Sequence, residues 1–274
     1  MSRSIRLCLP IALAIAACQA PNPAAPIPED GMVLGLLPQY RVTWGAWPGD
    51  PSPTPPPLPP DLPKEPFAEF YPDLKAIVPT GFYVDRGHEG KASLRFSTSI
   101  GNAGPGHLQI RGQVLGTMTQ GTQEILDASG RVVKTKDVGS FELHPDHGHF
   151  HVSHVARYEL RQGGPDGPLV REGKKISFCM EDSIRMQRGR EESRTPKCTQ
   201  DMQGITRGFA DVYSANLPDQ LFDVADLESG EYTIVIQLDP NKKFLEASRL
   251  NNRAWLRLRY DARQGTVTKV DQSS

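Results

Sequence analysis

Five of the chain's seven histidines fall within eleven residues, in the stretch His144-Pro-Asp-His147-Gly-His149-Phe-His151-Val-Ser-His154. His147, His149 and His151 recur at every second position. In an extended strand, positions i, i+2 and i+4 point to the same face, so three imidazoles on that face can hold one metal ion. Nitrogen-only ligands suit copper, zinc, nickel or iron, and copper(II) takes such sites most tightly among the first-row divalent metals. Two other readings compete: surface histidines that bind metal adventitiously, and a zinc site built from three His and a water. The interleaved Phe150 and Val152 distinguish the segment from a simple His tract, since they would face a core while the imidazoles face a cavity.

The elements that must carry these residues read as strands. Residues 92–100, 107–114, 155–160, 232–238 and 253–260 alternate apolar and polar side chains or run apolar for strand-like lengths, and residues 123–134 read as a hairpin turning at Ala128-Ser-Gly130. No segment keeps a long 3.6-residue apolar period. The expectation is a mainly β fold, a β-sandwich core with long loops and few short helices. The loop 183–212 exceeds what a plain sandwich needs, which points to a functional or disulfide-pinned segment. The last dozen residues are polar and are expected to fray.

The chain has 274 residues and a formal net charge of −1, which leaves no electrostatic footprint for nucleic acid. Residues 1–18 read as an export signal, with Arg3 and Arg6 ahead of a short apolar run that is too short to span a membrane. Its end, Ile15-Ala16-Ala17-Cys18, resembles a bacterial lipobox, which implies lipidation of Cys18 and attachment to a membrane. Gln19 is not an inner-membrane retention signal of the Asp kind, so the outer membrane is favoured; the competing reading is an ordinary cleaved signal. Residues 19–66 form a Pro-rich linker, because proline without an amide donor cannot enter a helix interior or a central strand. A domain over residues 67–262 follows, then a polar tail over 263–274. Only Cys179 and Cys198 lie in the domain, and in an oxidising compartment they are expected to pair.

Beyond the histidines, three segments carry a family resemblance. Glu172-Gly-Lys-Lys175-Ile-Ser-Phe-Cys179-Met-Glu-Asp182 is similar to the lysine-containing motif of the lysyl oxidase family. Cys198-Thr-Gln-Asp-Met-Gln-Gly204, followed by Gly208-Phe-Ala-Asp211-Val-Tyr213, is similar to its tyrosine-containing motif. Glu246-Ala-Ser-Arg-Leu-Asn251-Asn252 is similar to its acidic Asn-Asn motif. They stand in the family's order, over about residues 72–260. The resemblance implies a copper-dependent amine oxidase, with copper on His147, His149 and His151 and a lysine tyrosylquinone cofactor made from Lys175 and Tyr213. Lys174 is a neighbouring alternative, and alignment on Ser177-Phe178-Cys179 favours Lys175. Implied partners are a primary amine or a protein lysine, and molecular oxygen; implied products are an aldehyde, ammonia and hydrogen peroxide. A calcium site is implied at Asp73, Leu74, Glu246, Asn251 and Asn252, weakened because Ser248 stands where the family has an aspartate.

Other departures follow from the same resemblance. Asp146 replaces a family cysteine, and the cysteine that would pair with Cys179 is missing, so the simplest rewiring joins Cys179 to Cys198. Tyr158 stands where animal members have a histidine, which leaves His154 or Asp211 as candidate general bases. His144 is placed to orient a metal ligand from outside. The rival functions are a catalytically silent copper-binding lipoprotein on the same fold and, last, a zinc hydrolase, for which no Glu-x-x-His arrangement accompanies the histidines.

Overall fold

Period-two alternation becomes strand almost throughout. The computed structural model describes residues 60–87, 91–144, 149–186 and 191–274, with the side chain of His144 outside the description. These residues belong to the unit Pro48–Ser274. Cys18 and His147 therefore lie outside the described residues.

In chain order the strands are β1 (Leu74–Asp85), β2 (Ser93–Asn102), β3 (Leu108–Leu115), β4 (Met118–Leu126), β5 (Val132–His144), β6 (His149–Ser153), β7 (Ala156–Gln162) and β8 (Leu169–Glu172). They continue as β9 (Ser177–Phe178), β10 (Ile184–Arg185), β11 (Met202–Ile205), β12 (Phe209–Tyr213), β13 (Leu221–Asp223), β14 (Gly230–Leu238), β15 (Arg253–Asp261) and β16 (Thr266–Gln272). The one described helix is the 3-10 turn Ala68–Phe70. The mainly β expectation holds.

The strands form three antiparallel sheets. One has the order β1-β2-β12-β10, with β13 also on β2; another runs β11-β3-β4-β5-β6-β9; the third runs β16-β15-β14-β7-β8. Strand β2 shows why these residues fold this way: Leu94, Phe96, Thr98 and Ile100 alternate inward, while the residues between them are less buried. Side chains from all three sheets meet in one core that includes Phe96, Ile110, Phe141, Tyr158, Phe178, Phe222, Ile234 and Leu256. The expected hairpin forms between β4 and β5. Asp127 Oδ1 accepts the Ser129 and Arg131 amides across it, and Gly130 takes φ 80°, where a side chain would be strained.

Two features differ from the sequence reading. The tail does not fray: Thr266–Gln272 is a strand, paired with β15 from Leu256↔Gln272 to Asp261↔Thr266. Its side chains are mostly exposed because it is an edge strand with little core to cover, and this made it look like a tail. The stretch 183–212 is not a bare loop, since it contains β10, β11 and most of β12. Asp182 anchors it, accepting hydrogen bonds from Ser193, Thr195 and Thr206, and Cys198 closes it onto Cys179 in a disulfide with Cα atoms 5.6 Å apart.

Phe96 is fully buried, stacked on Phe222 at 5.1 Å and edge-on to Tyr158 at 5.5 Å. Phe96→Ala is expected to cost about 3–5 kcal/mol of folding stability, read as a lower denaturant midpoint with an unchanged slope; an unshifted midpoint would contradict this core assignment.

Candidate active site

The antiparallel hairpin β5–β6 pairs His144 with His149 and Glu142 with His151. His149 and His151 lie two apart on β6 and therefore share a face. Their Nε2 atoms are 2.9 Å apart. Two nitrogens each about 2.0–2.1 Å from one ion, at right angles about it, stand about 2.9 Å apart. The pair thus fits neighbouring positions on a tetragonal ion such as copper(II), whereas tetrahedral zinc would hold its nitrogens about 3.3–3.4 Å apart. His151 is 2% exposed, and its Nδ1 lies 3.1 Å from Ser177 Oγ, which fixes the ring with Nε2 toward His149. Among the described residues no three His, Cys, Asp or Glu side chains converge as a complete metal site. The third expected ligand, His147, falls between β5 and β6 in sequence, outside those residues.

Strand β9 pairs with β6 through Val152↔Phe178 and Ser153↔Ser177. This brings the lysine motif beside the histidines. The alternation separates the two lysines: Lys174 is exposed, whereas Lys175 is 9% exposed and points inward. Lys175 Nζ lies 5.1 Å from the Phe178 ring centre and 5.2 Å from that of Tyr213. Burial pushes its amine below the ordinary lysine range, opposed by the charges of Asp219 and Asp211.

Tyr213 arrives on β12, which is held against β2 by Tyr213↔Thr98 and its neighbours. Its hydroxyl donates to Asp211 Oδ2 at 2.5 Å, with Cys179 O also in reach at 3.0 Å, and its ring meets Phe178 edge-on at 4.8 Å. Burial raises its phenol well above the usual value, and the Asp211 charge adds to this. Burial likewise raises Asp211, to about 7, against hydrogen bonds from Tyr213 and Ser183. His149, His151, Lys175, Asp211, Tyr213 and both disulfide cysteines line one cleft of about 380 Å³.

The two candidate bases separate. His154 is exposed and takes φ 56°, turning the chain from β6 toward β7 in another sheet, and it does not line the cleft. Asp211 does line it. Tyr158 is fully buried, its hydroxyl 2.8 Å from Thr98 Oγ1, with burial holding its phenol above the ordinary value. It meets the site through Phe178, ring centres 6.0 Å apart.

One positioning residue escaped the sequence reading. Gln203, fully buried on β11, accepts the Met180 amide and donates to Phe150 O between the two histidines. A lone glutamine in a strand carries no signal for such a bridge; only its inward register gives it away.

The residues expected to hold calcium also come together. Leu74 N donates to Glu246 Oε2 at 3.1 Å, Asn252 Nδ2 to Glu246 Oε1 at 3.0 Å, and Asn251 Nδ2 to Asp73 Oδ2 at 2.9 Å. Asp73 Oδ1, Asn251 Oδ1 and Asn252 Oδ1 are buried without a hydrogen-bond partner. Buried acceptors left unpaired are costly, and an oxygen-only set of this kind suits a hard cation. The residues therefore fit calcium.

Comparison with known proteins agrees with this architecture. The family model described as "Lysyl oxidase" matches residues 106–270. Lysyl oxidase homolog 1 of Homo sapiens is 31% identical over 137 residues, 49% of this chain and 23% of that protein. Protein-lysine 6-oxidase of Rattus norvegicus is 30% identical over 142 residues, covering 52% and 32% of the two chains. Lysyl oxidase homolog 2B of Danio rerio is 36% identical over 119 residues, covering 43% and 15%. The aligned region thus spans about a third or less of each relative. With three-fifths of its length under the family model and the motif-bearing strands assembled round one cleft, this chain belongs to the lysyl oxidase family.

Proposed function

We propose that this protein is an exported copper-dependent amine oxidase that converts a primary amine, either a peptidyl lysine or a small amine, to an aldehyde with release of ammonia and hydrogen peroxide. The observation that carries this reading is Lys175 Nζ standing 5.2 Å from the Tyr213 ring in the cleft that His149 and His151 line. Copper and oxygen would supply the oxidation of the Tyr213 ring, and the lysine tyrosylquinone made from it would take up the electrons of the amine. His149 and His151, with His147 by sequence, would hold the copper, and Ser177 would hold His151 in the ligating tautomer.

The protein's own groups have matching tasks. Lys175 is desolvated, so more of it is the neutral amine, the form that adds to a ring carbon. Phe178, against both Lys175 and Tyr213, keeps them at a fixed spacing. Asp211, with a carboxyl raised to about 7, is poised to accept a proton near neutral pH and is 2.5 Å from the Tyr213 hydroxyl. The cluster of Asp73, Leu74, Glu246, Asn251 and Asn252 would hold calcium away from the chemistry. Lipidation at Cys18 would anchor the chain to a membrane. Among the described residues no helix is long and apolar enough to cross one.

Peptide mass spectrometry on copper-loaded, exported protein is expected to find the Lys175 and Tyr213 peptides covalently joined. Tyr213→Phe should lose the cross-link and the oxidase activity yet keep its copper. Copper bound at the histidines with both wild-type peptides unmodified would instead establish the silent copper-binding lipoprotein.

Asp211 also sets a pH dependence. Below about pH 4 its carboxyl is protonated in both folded and unfolded chains; between 3.8 and about 7 only the folded state keeps the proton. Its stabilising contribution is therefore full below the unfolded value and is lost as pH rises through about 7. In metal-free protein, the denaturant midpoint should fall more between pH 4 and 8 for the wild type than for Asp211→Asn. Parallel profiles would show that Asp211 is not the titrating group.

A further inference from the structure

The cation cluster has a shortage of charge among the residues expected to form it. Glu246 Oε1 is 2.9 Å from the Arg249 guanidinium, which also holds Asp239 at 2.7 Å, so the Glu246 charge is partly offset. Asp73 and this partly offset Glu246 are then the carboxylates of the set, beside amide and backbone oxygens, a low charge for a divalent ion, whose affinity is tuned by ligand charge. Ser248, in the same turn, contributes only a hydroxyl.

The structure brings in another carboxylate from outside the cluster. Asp61 Oδ2 accepts the Ser248 hydroxyl at 2.7 Å, across 187 residues of sequence. Its place is built by the segment that follows it. Leu62 packs against the buried group Ala68, Tyr71, Ile125 and Ala247, and Glu65 pairs with Lys134 at 2.7 Å and accepts the Tyr71 hydroxyl at 3.2 Å. Ala247 is next to Ser248, and its amide donates to Pro72 O at 2.7 Å. Asp61 and Asp73 thus approach the same turn from two parts of the chain. Asp73 is 6% exposed and Asn252 2% exposed, and each holds a buried oxygen with no partner.

We propose that Asp61 supplies an added carboxylate to this cation site in place of a side-chain charge at position 248, and that the bound ion clamps residues 60–66 onto the sheets. The proposal rests on reading the cluster as a calcium site, and the test separates the two.

Calcium chloride is titrated calorimetrically into the full exported chain, with terbium luminescence as a second binding signal. One calcium ion per chain is expected for the wild type, with affinity reduced about tenfold or more in Asp61→Asn, as expected when ligand charge is lost. Asp61→Asn combined with Ser248→Asp should recover it, which a merely misfolded variant would not do. Calcium should also protect residues 60–66 from limited proteolysis in the wild type and not in Asp61→Asn. Equal calcium affinity in wild type and Asp61→Asn would overturn the role of Asp61 while leaving the site standing. No binding by any of the proteins at millimolar calcium would overturn the site and the proposal together.

Discussion

Two residue pairs of backbone ladder, Val152↔Phe178 and Ser153↔Ser177, join the histidine strand to the lysine motif. Most of the site hangs on this junction. It seats Ser177 against His151 and turns Lys175 inward, and it places Phe178 in the core with one edge-on contact to Tyr213 and another to Tyr158. Gln203 braces the same junction from β11 through Met180 and Phe150. The ladder is short, so its geometry depends on neighbours that are buried and cannot shift independently. The histidine pair, lysine and tyrosine are thereby held in one register, although they come from three separate stretches of sequence.

The second governing influence is loss of water. Lys175, Tyr213 and Asp211 are all buried, and in each case burial is the largest influence on the ionisation. The charged form of each is disfavoured, which lowers the amine and raises the two acids. An amine that is more often neutral and a carboxyl that changes charge near neutral pH are suited to nucleophilic and proton-accepting tasks. The same desolvation costs stability, as perturbed groups at functional sites commonly do.

Much of this was legible in the sequence. The i, i+2 spacing placed His149 and His151 on one face, and the family resemblance, aligned on Ser177-Phe178-Cys179, favoured Lys175 over Lys174. The two lone cysteines paired as their isolation suggested. What escaped has a common cause. Gln203, the corner at His154 and the reach of Asp61 to Ser248 are set by contacts between distant segments, and local pattern carries no information about those. Strand β16 was missed for the opposite reason. An edge strand with little to bury has almost no apolar signature, and its partner β15 decides its structure.

The cleft itself is small. At about 380 Å³, with the Cys179–Cys198 bridge in its wall, it is near the lower end of small-molecule pockets and is braced by a covalent cross-link. An unbranched side chain can reach the Tyr213 ring through such an opening, whereas a rigid folded surface cannot follow it in. Under the proposed amine oxidase activity, a macromolecular donor would have to offer its amine on a terminus or a projecting loop tip, so that accessibility of the donor would count for more than its surrounding sequence.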